Sequence, residues 1–199
     1  MRKMALSVFF VAVAFVLGRL SAQDIQPSCE MCPANYIPAE EIQRYADVGS
    51  QEGITDQQVR SIDIGKVNVQ IAVAHRGKLD APPPGSVAEH DLVTEVYYVL
   101  SGSGTNRTGP DLVDKQRRPP DNRAVQFLNG PGNNAADIRT PTTHVLEAGD
   151  VFVIPAGTGH QFTRIDDHIT YLMVRVDPDK VVPLMDEAAS RAYLAEHGR

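Results

Sequence analysis

Apolar and polar residues alternate with a period of two through much of the chain between Ile62 and Val176. This is the pattern of strands that bury one face. Val67-Asn-Val-Gln-Ile-Ala-Val-Ala74 alternates and is rich in β-branched residues, which suits a half-buried pleated surface. Thr143 to Leu146, Val151 to Ile154, His160 to Ile165 and Thr170 to Val176 repeat the pattern, and Asp177-Pro-Asp179 ends it. Between the first strand and the rest, Lys78 to Pro84 breaks regular structure with a run of three prolines before Gly85. Helical patterning lies outside this region. Pro38 to Asp47 has proline at a helix start and acids in the first turn. Thr55-Asp56 predicts a second short helix running to Arg60, with Thr55 as its cap. Met185 to His197 carries an apolar set at Met185, Ala188, Ala192 and Leu194 or Ala195 and predicts an amphipathic terminal helix.

Two stretches within the strand region carry chemistry. Gly149-Asp-Val-Phe-Val-Ile-Pro155-Ala-Gly157-Thr-Gly-His160 sets a turn glycine, a buried strand, a Pro-x-Gly turn and a histidine at the start of the next strand. Upstream, His90-Asp-Leu-Val-Thr-Glu95-Val-Tyr-Tyr-Val-Leu-Ser-Gly102 offers a histidine, a short turn, a glutamate and an apolar, aromatic strand. His90 ends one strand, Glu95 begins the next and His160 begins a third, so in a small barrel their side chains converge on one interior point. Alternation then puts Glu95, Tyr97 and Val99 on one face and Val96, Tyr98 and Leu100 on the other. His160, Phe162 and Arg164 share a phase. If Glu95 points inward, Tyr97, Phe162 and Arg164 do so too.

Together these stretches resemble the two motifs of the cupin superfamily, G-x5-H-x-H-x3,4-E-x6-G and G-x5-P-x-G-x2-H-x3-N. The second fits at Gly149, Pro155, Gly157 and His160, with Arg164 where Asn is usual. The first fits at His90, Glu95 and Gly102, while its first histidine falls at Ala88 and its leading glycine at Pro82. The resemblance implies an all-β fold, a double-stranded β-helix (jelly-roll) barrel with short N-terminal helices and a C-terminal helix. On this reading residues 62–178 form the barrel, 106–141 are a long insertion between the motifs, and 179–199 supply the terminal helix.

Metal-binding cupins hold a divalent ion with histidines and a glutamate, so the resemblance implies His90, Glu95 and His160 as ligands here. Two imidazoles and a carboxylate also match mononuclear non-haem iron sites, and the donor set alone does not choose among iron, manganese, zinc, nickel and copper. A buried glutamate without a cationic partner is costly, and a shared ion would explain keeping His90, Glu95 and His160 together. Glu89 or His75 is a candidate fourth ligand. Tyr97 is the candidate acid or hydrogen-bond donor, and Arg164 the candidate partner of a substrate carboxylate.

Targeting and charge narrow the class. Arg2 and Lys3 precede an apolar run from Met4 to Leu17 and then Gly18-Arg-Leu-Ser-Ala22, the layout of a cleavable secretory signal over residues 1–22. The expected mature protein is periplasmic or secreted, and residues 23–61 are its extension with short helices. Cys29 and Cys32 then read as a local disulfide, the simplest outcome in an oxidising compartment. The net charge of −6 excludes a nucleic-acid or anionic-membrane surface by charge. The insertion is rich in arginine and reads either as a basic flap over the barrel mouth or as a solvated loop or dimer contact. The outward row Val96, Tyr98 and Leu100 predicts a homodimer.

The function expected from these features is an exported metalloenzyme, dioxygenase-like or lyase/isomerase-like, acting on a small, anionic organic substrate. The alternative is a non-catalytic barrel that binds a small molecule or sugar. A sugar isomerase or epimerase is a third reading, against which export counts, because activated sugars are cytoplasmic.

Overall fold

The computed structural model describes residues 26–197. The expected signal peptide over residues 1–22 lies outside the described residues. Among the described residues, contacts separate a leading unit, 26–32, from a main unit, 33–197. In the leading unit Cys29 and Cys32 are disulfide-bonded, as their spacing suggests.

The main unit opens with helix α1 (Ala39–Glu52), followed by β1 (Asp56–Asp63), β2 (Asn68–Arg76), β3 (Val87–His90) and β4 (Thr94–Gly109). The insertion contributes β5 (Leu112–Val113), β6 (Gln116–Arg117), a π-helical turn (Ala124–Leu128), β7 (Gly132–Ala135) and β8 (Asp137–Ile138). Then come β9 (Thr142–Glu147), β10 (Val151–Ile154), β11 (Gly159–Arg164), β12 (Ile169–Asp177) and helix α2 (Glu187–His197). Ten strands join in one antiparallel sheet in the order β1-β2-β12-β4-β11-β3-β7-β6, with β9 and β10 also on β4. This is the all-β jelly-roll barrel expected, with helices at either end of the unit.

Strand β4 organises the barrel because it changes partners half way. Its first half pairs with β12 on one edge and β10 on the other, and its second half with β11 and β9. The changeover falls at Gly102, where φ is +73° and a Cβ would stand 2.0 Å from the His168 carbonyl oxygen. No other residue fits there.

Alternation sorts the core. Tyr97, Val99, Phe162, Tyr171 and Met173 fill the interior, while Tyr45, Val48, Val59, Val73 and Leu194 form a second cluster where the helices cover β1 and β2. Glu41 ties this second cluster together. It takes a bidentate bond from the buried Arg60 of β1 (2.6 and 3.2 Å) and a bond from Ser190 of α2 (2.8 Å). Farther along the same sheet, Tyr98, Leu100, Val151 and Val153 stay exposed among the described residues. Val151 stands opposite Tyr98 and Val153 opposite Val96, which extends the outward apolar row to a second strand.

Three local expectations are corrected. The second short helix, Thr55 to Arg60, is strand β1, because Gln58 and Arg60 are buried on Gln70 and Glu41 rather than lying on a solvated helix face. The sheet therefore begins at Asp56, before Ile62. The insertion expected over 106–141 starts later, because β4 continues to Gly109.

Burial raises the Glu41 carboxyl, but its bonds to Arg60 and Ser190 outweigh this and hold it below the usual range. A depressed carboxylate adds stability above its unfolded value of about 4.3, lost as pH falls through the folded value. Glu41→Ala is expected to cost about 3 kcal/mol at neutral pH by leaving Arg60 buried and unpaired. Denaturant unfolding at pH 7 and pH 3 checks this, with a smaller loss expected at pH 3.

Candidate metal centre

Short turns bring the three candidate ligands together. β3 ends on His90, and its carbonyl accepts the Gly157 N–H at 2.7 Å, tying the first motif to the Pro-x-Gly turn of the second. Glu95 lies one residue into β4 and His160 one residue into β11. One donor atom from each of His90, Glu95 and His160 falls within 4.8 Å of the others, and all three residues are buried. His90 Nε2 lies 3.8 Å and His160 Nε2 3.5 Å from the Glu95 oxygens. Ala88, where the first motif would put another histidine, pairs with His160 across the sheet. Glu89 and His75 stay outside the group: Glu89 is bonded by Asn133 at 2.6 Å, and His75 Nδ1 meets Thr170 Oγ1 at 2.8 Å.

Glu95 has the cationic partner that its neighbours in sequence do not reveal. Arg175 stands directly opposite on β12, is fully buried, and donates Nε to Glu95 Oε1 at 3.0 Å. Asn129 donates to the same oxygen at 2.7 Å, and the Tyr97 hydroxyl donates to Oε2 at 2.8 Å. Arg175 also bonds Gln58 and Asp56. The premise that Glu95 is uncompensated without an ion is therefore corrected.

Protonation follows from burial and charge. Burial raises the Glu95 carboxyl, but the His90 ring, Arg175, the His160 ring and the Tyr97 hydroxyl outweigh it and hold it far below the carboxylate range. Burial pushes His90 down to about 3, beyond the opposing pull of Glu95, and lowers His160 as well. Both rings are neutral at pH 7, so Arg175 is the charge that holds Glu95 there. Burial and Glu95 raise the Tyr97 phenol well above its ordinary value. It remains a donor, with its proton directed at Glu95.

Arg164 is not part of this arrangement. The β11–β4 register shifts between Phe162 and Arg164, so Phe162 and Ile165 are buried while Arg164 is exposed and paired with Asp166. The bulge breaks the phase that alternation assumes.

The cluster forms one wall of a cavity of about 300 Å³ lined by Arg76, His90, Glu95, Tyr97, Arg118 and His160, among others. Arg76 and Arg118 form no ion pair among the described residues, whereas Arg107, Arg117 and Arg139 of the insertion pair with Asp137, Asp91 and Asp111. The insertion thus walls the cavity with Arg118, Leu128 and Asn129. Asp56 Oδ1 is buried without a hydrogen-bond partner on the same cavity. Arg76 was legible in principle, because it continues the phase of Ala72 and Ala74.

The donors fit a divalent ion by type and spacing. His160 Nδ1 lies 3.3 Å from the Thr158 carbonyl oxygen, so its N–H points there and Nε2 keeps a lone pair toward Glu95, the usual support of a metal-ligating imidazole. The cluster can hold a metal ion.

A family model described as the AraC-like ligand binding domain matches residues 128–198. A cupin protein from Bacteroides fragilis is 19% identical, with 59% of this chain and 72% of that one covered at a TM-score of 0.33. A Bacillus halodurans protein is 13% identical, with 82% and 98% covered at 0.40. A putative mannose-6-phosphate isomerase from Ralstonia eutropha is 15% identical, with 62% and 86% covered at 0.34. No curated protein matches the chain.

Removing Arg175 tests how the glutamate is held. Arg175→Gln is expected to lower stability by about 3 to 5 kcal/mol by stranding Glu95 in the interior. Arg164→Ala, which breaks only an exposed pair, leaves the denaturation midpoint unchanged.

Proposed function

We propose that this chain, a jelly-roll barrel with cupin-like motifs whose residues 128–198 match the AraC-like ligand binding domain, is an exported metalloprotein that acts on a small organic anion in its barrel. The observation that carries the reading is the convergence of His90, Glu95 and His160 on a cavity whose other charged wall is Arg76 and Arg118. A divalent ion bound there supplies Lewis-acid or redox chemistry, and the donor set suits dioxygenase-like as well as lyase- or isomerase-like reactions. The protein's own groups do the rest. The two arginines attract and orient an anion, Asp56 Oδ1 accepts a hydrogen bond from a substrate hydroxyl or amine, and Tyr97 keeps Glu95 in place. Phe162, Tyr171 and Met173 exclude water from the inner end.

A non-catalytic binding barrel is the second reading, and one observation favours it. Arg175, Asn129 and Tyr97 already satisfy Glu95. The cavity would then bind its anion through the arginines and histidines alone.

Elemental analysis of protein purified without chelator separates the two readings. The metalloprotein reading expects near-stoichiometric iron, manganese, zinc, nickel or copper, lost in His160→Ala. Its mass should correspond to a chain beginning at Gln23, the position the export signal implies. Metal-free protein that no such ion stabilises against heat would leave the binding barrel. We also propose that the outward apolar row of β4 and β10 joins two copies; a monomeric mass in solution scattering would rule that out.

A further inference from the structure

The cavity contains two cations without carboxylate partners among the described residues, and each is held differently. Arg76 donates Nε to the Tyr171 hydroxyl at 3.0 Å and lies over the Phe162 ring at 5.3 Å. Arg118 donates to Asn134 Oδ1 at 2.8 Å, and through Nη1 to the Glu89 carbonyl and to His90 Nδ1, each at 3.2 Å. The last bond determines the tautomer. A guanidinium has donors only, so Nδ1 accepts, and a neutral His90 carries its proton on Nε2, the nitrogen nearer Glu95. A metal ligand needs the lone pair of that nitrogen. His160, bonded from Nδ1 to a carbonyl, is ready to ligate; His90 is not.

Resting on the reading of this cluster as a metal site, we propose that Arg118 couples metal binding to the binding of a small organic carboxylate. In the free cavity Arg118 holds His90 in the tautomer that does not ligate. A carboxylate bound by Arg76 and Arg118 draws the Arg118 guanidinium off Nδ1, because its bond to a charged, fork-matching acceptor is stronger than its bond to a neutral imidazole. The ring proton then sits on Nδ1, with none gained or lost, and Nε2 offers its lone pair toward Glu95 and His160. Charge favours the same order. Glu95 and Asp56 already share Arg175, so a divalent ion entering beside Arg76 and Arg118 is repelled until an anion offsets them. Each ligand therefore raises the affinity for the other by the same factor.

Cobalt(II) titration followed by visible absorption tests the coupling in the wild type, Arg118→Gln and Arg76→Gln, with and without propionate. Propionate is expected to raise the wild-type cobalt affinity about tenfold, a common size for coupling between sites. Arg118→Gln should bind cobalt more tightly than wild type without propionate and gain nothing from it. Arg76→Gln, which removes one repelling charge but leaves the bond of Arg118 to His90, should bind cobalt less tightly than Arg118→Gln without propionate and lose most of the gain. If Arg118→Gln does not fold by circular dichroism, Arg118→Lys, which lacks the planar fork, should move in the same direction. Equal affinities for wild type and the Arg118 variant, or a propionate gain that survives the substitution, would overturn the coupling while leaving the metal site standing. No cobalt spectrum in any of the proteins would overturn the metal reading and the coupling with it.

Discussion

Taking a carboxylate out of water costs several kcal/mol unless charge and hydrogen bonds replace the lost solvent, and Glu95 lies inside the barrel with almost no exposure. Arg175 meets that cost from the facing position on β12, and Asn129 and Tyr97 complete the shell. These partners come from three different places in the chain. Arg175 belongs to the last strand, Asn129 follows the π-helical turn of the insertion, and Tyr97 lies on the same strand as Glu95. The bond to Glu95 therefore specifies how the insertion closes over the cavity as well as the register of β4 on β12. Asp56 and Gln58 take the other arginine nitrogens, which draws polar residues of β1 into the interior.

The features legible in the sequence were those that depend on local geometry. Gly149 and Gly157 have φ of +95° and +79°, as turn glycines at those motif positions require. Strict alternation in β4 placed Glu95, Tyr97 and Val99 inside and Tyr98 and Leu100 outside. The same rule failed where it was interrupted: one bulge before Arg164 reversed the direction of that side chain. It was also applied too narrowly. Ile169, Tyr171, Met173 and Arg175 form one inward phase, so the arginine that holds Glu95 was visible as a charged residue in an apolar series. Strand β1 was hidden for a different reason. Its buried Gln57, Gln58 and Arg60 read as solvated until their partners on distant elements are known.

The arginines give the cavity its chemical character. Arg175 is committed to Glu95 and Asp56, whereas Arg76 and Arg118 face the space with hydrogen-bonding capacity left over. One face of the cavity is thus suited to an anion and the adjacent face to a cation, with His90 between them. A divalent ion alone would add to the unmatched positive charge of Arg76 and Arg118 in a low-dielectric interior, so such a site would favour the ion together with an anion. The insertion contributes Arg118 and Asn129 to this arrangement, so its length is explained by the wall it builds rather than by a connection it must span.

On the proposed reading, His90, Glu95 and His160 meet at one ion. X-ray absorption at the edge of the bound metal tests it most directly, because imidazole rings produce a distinct multiple-scattering pattern. Two histidines and otherwise oxygen should surround the metal, falling to one histidine in His90→Ala. A spectrum without imidazole, or one unchanged by that substitution, would contradict it.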